Sequence, residues 1–407
     1  MNTLSPLSDQ ARTLFAQGRF AEAEPLFRRI ADENPADDVA VYNLGVTLGK
    51  LDRFEEAMGC YRATIERNPG FADAYANFGT CLSELGHIAQ ARQACAIAHQ
   101  IAPDDPIPVL NEGIAALALG DLTAGWRGFA ARWRLPAYAK FKRDFAQPQW
   151  RGENLRNKTL FMYAEQGFGD SIQMARYAPF LMDQGARVII EAQPALAALF
   201  RTLPGSPHII AKGEPVPDFD FYSAMMDVPQ AAGTTLDSIP VLSPYLSAPP
   251  VALPLRRKPR RVGLCWAGRA SHENDRNRSL FFAQIQPLLT RADTDYVSLQ
   301  FIVPEEDMAA FAASGVIAWN RTTSDFIEAA ALIREVDLVI TVDTSVAHLA
   351  GAMGKPVWIL LPFYADWRWL LQREDSPWYP TARLFRQKKR REWDEVIARV
   401  AAELDKF

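Results

Sequence analysis

The sequence predicts an α-solenoid of paired helices followed by an α/β region of two parallel-sheet lobes. Three observations carry this. A 34-residue period runs through the first third of the chain. From Lys158 the pattern changes to short apolar runs alternating with helical stretches. Those alternations come in two sets, parted by a hinge at 251–258 within the proline- and arginine-rich PPVALPLRRKPRR.

The chain has 407 residues, more than one compact core holds. It is 49% hydrophobic and 23% charged, with net charge -4, and that balance argues against a general nucleic-acid binder. Cys60, Cys81 and Cys95 fall on repeat helices and Cys265 in an apolar run; none forms a CxxC pair. They read as small buried hydrophobes in a reducing compartment. The opening MNTLSPLSDQAR lacks the basic-then-apolar pattern of a signal peptide. No apolar run reaches the ~18 residues a membrane span needs. The expected location is cytoplasmic.

The repeat can be read column by column. Pro35, Pro69 and Pro103 share a phase, as do Asn43, Asn77 and Asn111. So do Gly45, Gly79 and Gly113; Ala23, Ala57 and Ala91; and Phe27, Tyr61, Cys95 and Phe129. Small residues let two helices approach, large ones fill the seam, and proline ends the second helix. The period and columns resemble the tetratricopeptide (TPR) repeat, over 8–135, and stacked repeats bury their faces against neighbours. The asparagine column is polar within apolar helices. The resemblance implies a concave ladder of Asn43, Asn77 and Asn111 for an extended protein or peptide partner, similar to that of the nucleocytoplasmic O-linked N-acetylglucosamine transferase. Arrays of this kind also dimerise, so a homo-oligomer stands beside the monomer.

A linker is expected at 136–157. KTLFMYA and ARVIIEA read as strands, with helices after each, giving a first lobe over 158–250. The stretch 211–258 reads as loose and proline-rich, with a hinge at 251–258. RRVGLCWAG, DYVSLQF, DLVITV and KPVWILLP read as strands of a second lobe over 259–407. Two such lobes suggest the GT-B architecture, with ligand held at the carboxyl ends of the strands.

In DLVITVDTSVAHLAGAMGKP a buried strand turns directly into a helix at Asp343, Thr344 and Ser345. Helix-terminal N–H groups there suit a phosphate. His348 follows Thr344 by four residues and so shares its helix face. The loop WAGRASHENDRNRSL supplies Arg269, Arg276 and Arg278, of which Arg278 immediately precedes a helix. Cations here would neutralise a departing diphosphate. His272 reads as surface. Trp266, Gly268 and Gln300 close strands on the same edge. GFGD ends in Asp170, either a helix cap or a base, with Glu165 beside it. Asp366, Trp367, Arg368 and Trp378 lie after the last core strand, on the cleft side or under a packed C-terminal helix. Asp218-Phe219-Asp220 has the form of a metal-binding DxD but lies in a proline-rich loop.

The motif D-T-S-x-x-H-L-A-x-A-x-G-K-P resembles that of the ADP-heptose lipopolysaccharide heptosyltransferases, strongest over 337–362. Ser345 stands where those enzymes usually have glycine. The resemblance implies a GT-B, inverting and metal-independent glycosyltransferase using a nucleoside-diphosphate sugar as substrate, with no cofactor. It implies Asp170 as base. It places Asp343, Thr344, Ser345 and His348 on the donor, with Asp343 capping the helix. Arg276 or Arg278 takes the place of the family's loop lysine. The other readings are a TPR scaffold with a degenerate transferase-like domain, and a GT-B-like epimerase.

Overall fold

The computed structural model describes residues 4–251, 257–272, 274–318 and 325–407. The chain forms two units, Met1–Lys140 and Phe141–Phe407. Most of the expected hinge, 252–256, lies outside the described residues.

The first unit is a run of antiparallel helix pairs: α1 (Leu4–Ala16) with α2 (Phe20–Glu33), α3 (Asp38–Lys50) with α4 (Phe54–Arg67), α5 (Ala72–Glu84) with α6 (Ile88–Ile101), and α7 (Pro106–Ala118) with α8 (Leu122–Phe129). Pro35, Pro69 and Pro103 each fall two residues after a second helix ends. Asp37 accepts hydrogen bonds from the N–H groups of Val39 (2.9 Å) and Ala40 (3.1 Å), capping α3; Asp105 and Asp121 cap α7 and α8 in the same way. The columns pair as their period demands. A β carbon on Gly45 would stand 2.8 Å from Tyr61, one on Gly79 2.8 Å from Cys95 Sγ, and one on Gly113 2.7 Å from the Phe129 nitrogen. Ala23 and Ala57 are fully buried and Ala91 nearly so. The seam therefore exists because one face of each pair has no side chain.

The second unit holds two parallel sheets. The first has strand order β3-β2-β1-β4, with β1 (Thr159–Tyr163), β2 (Arg187–Ala192), β3 (His208–Ala211) and β4 (Phe221–Ala224). The second has order β6-β5-β7-β8-β9, with β5 (Arg260–Cys265), β6 (Thr294–Ser298), β7 (Leu338–Val342), β8 (Val357–Leu361) and β9 (Ala382–Arg386). Every strand pairing within these sheets is parallel. β7 (LVITV) and β8 (VWILL) are buried along their whole length, as parallel strands covered on both faces must be. The C-terminal helix Trp393–Leu404 lays Trp393, Val396, Ile397, Val400 and Leu404 on the core of the second lobe.

Three features differ from expectation. The segment read as a linker to 157 is, from Phe141, an edge of the first lobe. Phe145 packs edge-on against Phe161, Phe219 and Tyr222, and the Trp150 N–H donates to the Tyr222 carbonyl at 2.8 Å. The loose stretch after 211 contains β4, and β3 and β9 are further strands not expected. Each of these three is only four or five residues long, too short for a period to declare itself. The helix expected to begin after Asp170 starts at Phe168 and breaks near Arg176, giving α9 (Phe168–Met174) and α10 (Tyr177–Asp183).

Asp218 and Asp220 lie in the loop before β4, where Asp220 accepts from the Thr159 N–H at 2.7 Å and from Lys158 at 3.2 Å. Among the described residues no helix is long and apolar enough to cross a membrane.

Candidate active site

Each sheet reverses its winding direction once. In the first lobe this occurs between β1 and β4, in the second between β5 and β7. A crevice forms at the carboxyl ends of strands at such points. The turn after β1 carries Asp170. The loop after β5 carries Arg278, and the turn after β7 carries Asp343, Thr344 and Ser345, which open helix α11 (Ser345–Ala352).

The first-lobe turn is built around glycine. Gly167 caps α9, and Asp170, on the first turn, reaches back to accept the Gly167 N–H at 2.8 Å. The other Asp170 oxygen accepts from Arg368 Nη2, which belongs to the turn after β8. Glu165, the neighbouring acid, is buried and accepts from the Met226 N–H at 3.2 Å.

In the second lobe Thr344, not Asp343, caps α11: its hydroxyl accepts the Val346 N–H at 3.3 Å. Asp343 instead offers its carbonyl to Arg278 Nη1 at 3.0 Å, which ties the arginine loop to the turn after β7. Arg278 is steadied by Asp275 at 3.3 Å. Gly268 makes this possible, since a β carbon there would stand 2.7 Å from Arg278 Nη2. Arg276, Arg269 and His272 are exposed. The Asp343 carboxyl is half-buried; burial and the Asp366 carboxylate push its pKa up to about 6, against the pull of Arg278 and Arg368.

His348 is buried, 5% exposed, and its Nδ1 lies 2.9 Å from the Tyr379 hydroxyl. Its ring stacks on Trp369 with centroids 5.3 Å apart. Burial, then the guanidinium groups of Arg368, Arg176 and Arg278, hold its pKa well below the usual histidine range. It is therefore a neutral imidazole among cations. Its free edge faces Gly169 of the first lobe, where a β carbon would stand 2.7 Å from Cδ2.

Two expected donor contacts are placed elsewhere. Trp266 is 1% exposed, packs on Phe282 and Phe311, and donates Nε1 to Asp307 at 2.7 Å. It follows Val262 and Leu264 on the same strand face, so its ring fills the core and offers no stacking surface. The period of two along RRVGLCW carried that signal. Gln300 uses its amide within the loop. Its oxygen accepts from the N–H groups of Trp266 and Ala267, both at 3.2 Å, and its nitrogen donates to the carbonyls of Ala267 (2.8 Å) and Ile302 (3.0 Å).

The segment 366–379 supplies further contacts between the lobes. Arg368 donates Nε to Gln173 at 2.6 Å and Nη1 to Asp366 at 2.8 Å, besides its bond to Asp170. Burial opposes its charge, but Asp366, Asp170 and Asp343 outweigh it and raise its pKa. Arg176 is fully buried. It donates to the carbonyls of Gln173 (2.9 Å) and Trp378 (2.6 Å) and to the Tyr245 hydroxyl (3.2 Å), between the rings of Tyr245, Trp378 and Tyr379.

In the first unit, Asn77 donates Nδ2 to the Tyr42 hydroxyl of the preceding repeat at 2.7 Å. Asn43, Asn77 and Asn111 are all partly exposed.

The fold and site thus define a repeat array joined to a two-lobed, GT-B-like unit whose polar side chains gather at the strand ends. Comparison with known proteins adds what each part is similar to. Tetratricopeptide repeat models match residues 14–63 and 60–93, and the model of glycosyltransferase family 9 (heptosyltransferase) matches 322–361. Protein FlbA of Caulobacter vibrioides is 29% identical over 329 residues, which is 72% of this chain and 54% of FlbA. The chain thus spans about half the length of that curated relative. Among solved structures, TTC0263, a thermophilic TPR protein of Thermus thermophilus, is 22% identical, covering 34% of this chain and 77% of its own, with TM-score 0.31. MamA of Desulfovibrio magneticus RS-1 is 17% identical, covering 35% and 80%, with TM-score 0.30. The chain joins TPR repeats to a glycosyltransferase-like unit.

Proposed function

We propose that this chain is an inverting, metal-independent glycosyltransferase that moves a sugar from a nucleoside-diphosphate sugar to a protein acceptor held by the TPR array. The observation that carries the reading is that Arg368 bonds Asp170 of the first lobe while acting electrostatically on Asp343 of the second, whose carbonyl accepts from Arg278, and that Gly169 beside Asp170 meets His348 of α11. The acceptor hydroxyl gives its proton to Asp170 as its oxygen bonds to the anomeric carbon. The bond from that carbon to the phosphate oxygen breaks, and the nucleoside diphosphate leaves with the electron pair. Helix N–H groups at Ser345 and the Arg278 cation stabilise the charge that develops. Asn43, Asn77 and Asn111 hold the acceptor chain, and the reaction takes place in the cytoplasm. The test is transfer or donor hydrolysis by the purified chain and by D170N. Nucleotide release that D170N reduces at least about a hundredfold supports the reading; activity indifferent to D170N sinks it.

One observation favours a second reading. Both oxygens of Asp170 are already hydrogen-bonded, to Gly167 and to Arg368. A base held so is also what a silent transferase-like domain on a TPR scaffold would show. Loss of partner capture in an N77A/N111A variant, with no effect of D170N on any activity, would favour the scaffold.

A further inference from the structure

We infer that Arg368 is a positioning residue that masks Asp170 until a diphosphate draws its guanidinium away, so that donor binds before acceptor. The inference rests on the glycosyltransferase reading and names the order of events at the same site.

The geometry is that of a shared cation. Arg368 is 7% exposed and sits on the turn after β8, beside the strand whose end forms the Asp343–Ser345 turn. Asp366 grips it from behind twice, through its backbone N–H at 3.0 Å and through Nη1 at 2.8 Å. Trp367 lies under the guanidinium at 4.3 Å. These three contacts come from its own turn and do not depend on the first lobe. Only Nε and Nη2 cross to the first lobe, to Gln173 and Asp170. The cation therefore keeps its anchor when its outer face changes partner.

A diphosphate at the α11 N-terminus carries more negative charge than one carboxylate and offers the paired oxygens a guanidinium fork prefers. Arg368 already acts electrostatically on both His348 and Asp343, which flank that position. The resting arrangement is also incomplete. Gln173 is fully buried and takes Arg368 Nε on its oxygen, yet its Nε2 has no hydrogen-bond partner among the described residues, so the amide that holds the guanidinium is itself only half satisfied. Transfer of Arg368 to phosphate frees one oxygen of Asp170, the one that then accepts the acceptor's proton.

The experiment is calorimetric titration of pyrophosphate, and of ADP, UDP, GDP and CDP, into the full chain and its variants. In the wild type the anion competes with Asp170 for Arg368. D170N releases that competition and should bind about tenfold more tightly. R368Q should bind about tenfold more weakly than wild type, and D170N/R368Q no more tightly than R368Q. The double variant separates this from simple removal of a negative charge, which would improve binding equally in both backgrounds. A D170N gain that persists without Arg368, or no gain at all, overturns the inference. Binding that R278Q weakens but Arg368 variants do not overturns it while leaving the donor site intact. Absence of binding by every variant sinks the donor reading and this inference together. If R368Q does not fold, R368K takes its place, since lysine keeps the charge and loses the fork; Asp170 lies on a partly exposed turn, and D170N carries the first comparison alone.

Discussion

Gly169 of the first lobe lies so close to His348 of the second that a β carbon on the glycine would stand 2.7 Å from the imidazole Cδ2. The two lobes meet at a point where one partner has no side chain and the other is a neutral, buried ring.

G169A should therefore destabilise the α/β unit. The imidazole is fixed by Tyr379 and Trp369 and has little room to yield. A loss of about 1–3 kcal/mol is expected in urea denaturation. An unchanged midpoint would mean that the lobes separate at this contact without cost.

Arg176 supplies a second test of how the lobes are held. R176M keeps the bulk but leaves the Gln173 and Trp378 carbonyls and the Tyr245 hydroxyl without their buried donor. The expected loss is about 2–4 kcal/mol, read as a fall in the denaturation midpoint. A loss below about 1 kcal/mol would show that the aromatic cage alone suffices.

The Asp343 carboxyl is pushed up to about 6 by burial first and Asp366 second, from an ordinary value of 3.8. Between those two values the folded chain binds more protons than the unfolded chain. Stability from this group is complete below about pH 4 and is lost as pH rises through about 6. D343N removes the cost of the buried charge. It should raise stability by about 1–3 kcal/mol at pH 8 and by little at pH 4. The check is denaturation of both proteins at the two pH values, and equal shifts at both would contradict the assignment.

In the array, G113A should be costly and G59A should not. A β carbon on Gly113 meets backbone of Gly128 and Phe129 at 2.7 Å, which cannot swing aside, whereas nothing lies within 4 Å of the corresponding point on Gly59. G113A should lose about 1–3 kcal/mol, and G59A should gain up to about 1 kcal/mol from helix propensity. Thermal denaturation of the two variants reads the difference.

Much of this was legible in the sequence because the physics was local or periodic. The Gly45–Tyr61 and Gly79–Cys95 contacts repeat one relation at a fixed spacing, so columns revealed the seam. The β7 turn into α11 declares itself because a fully buried, mostly apolar strand runs straight into a helix cap. The details that failed were matters of one residue or of long range. Thr344 rather than Asp343 caps α11, since either side chain could do so by type. Position at a strand end suggests a cleft role for Trp266, whereas alternation with Val262 and Leu264 sets its face toward the core. In the sequence Arg368 is one of many arginines and aromatics after β8. Its bond to Asp170 joins residues 198 positions apart, and no local pattern encodes such a pairing.

On the proposed function, the strand ends that carry Asp170 and the Asp343–Ser345 turn hold a sugar nucleotide. The most direct test is calorimetric melting of the purified chain with a panel of nucleoside-diphosphate sugars, beside R278Q and D170N. At a hundred times its dissociation constant, a true donor should stabilise the α/β unit by about 2.7 kcal/mol. D170N should show a shift at least as large while losing transfer, and R278Q should lose the shift itself. A chain that no nucleotide-sugar stabilises, and that releases nucleotide from none of them, would contradict the account.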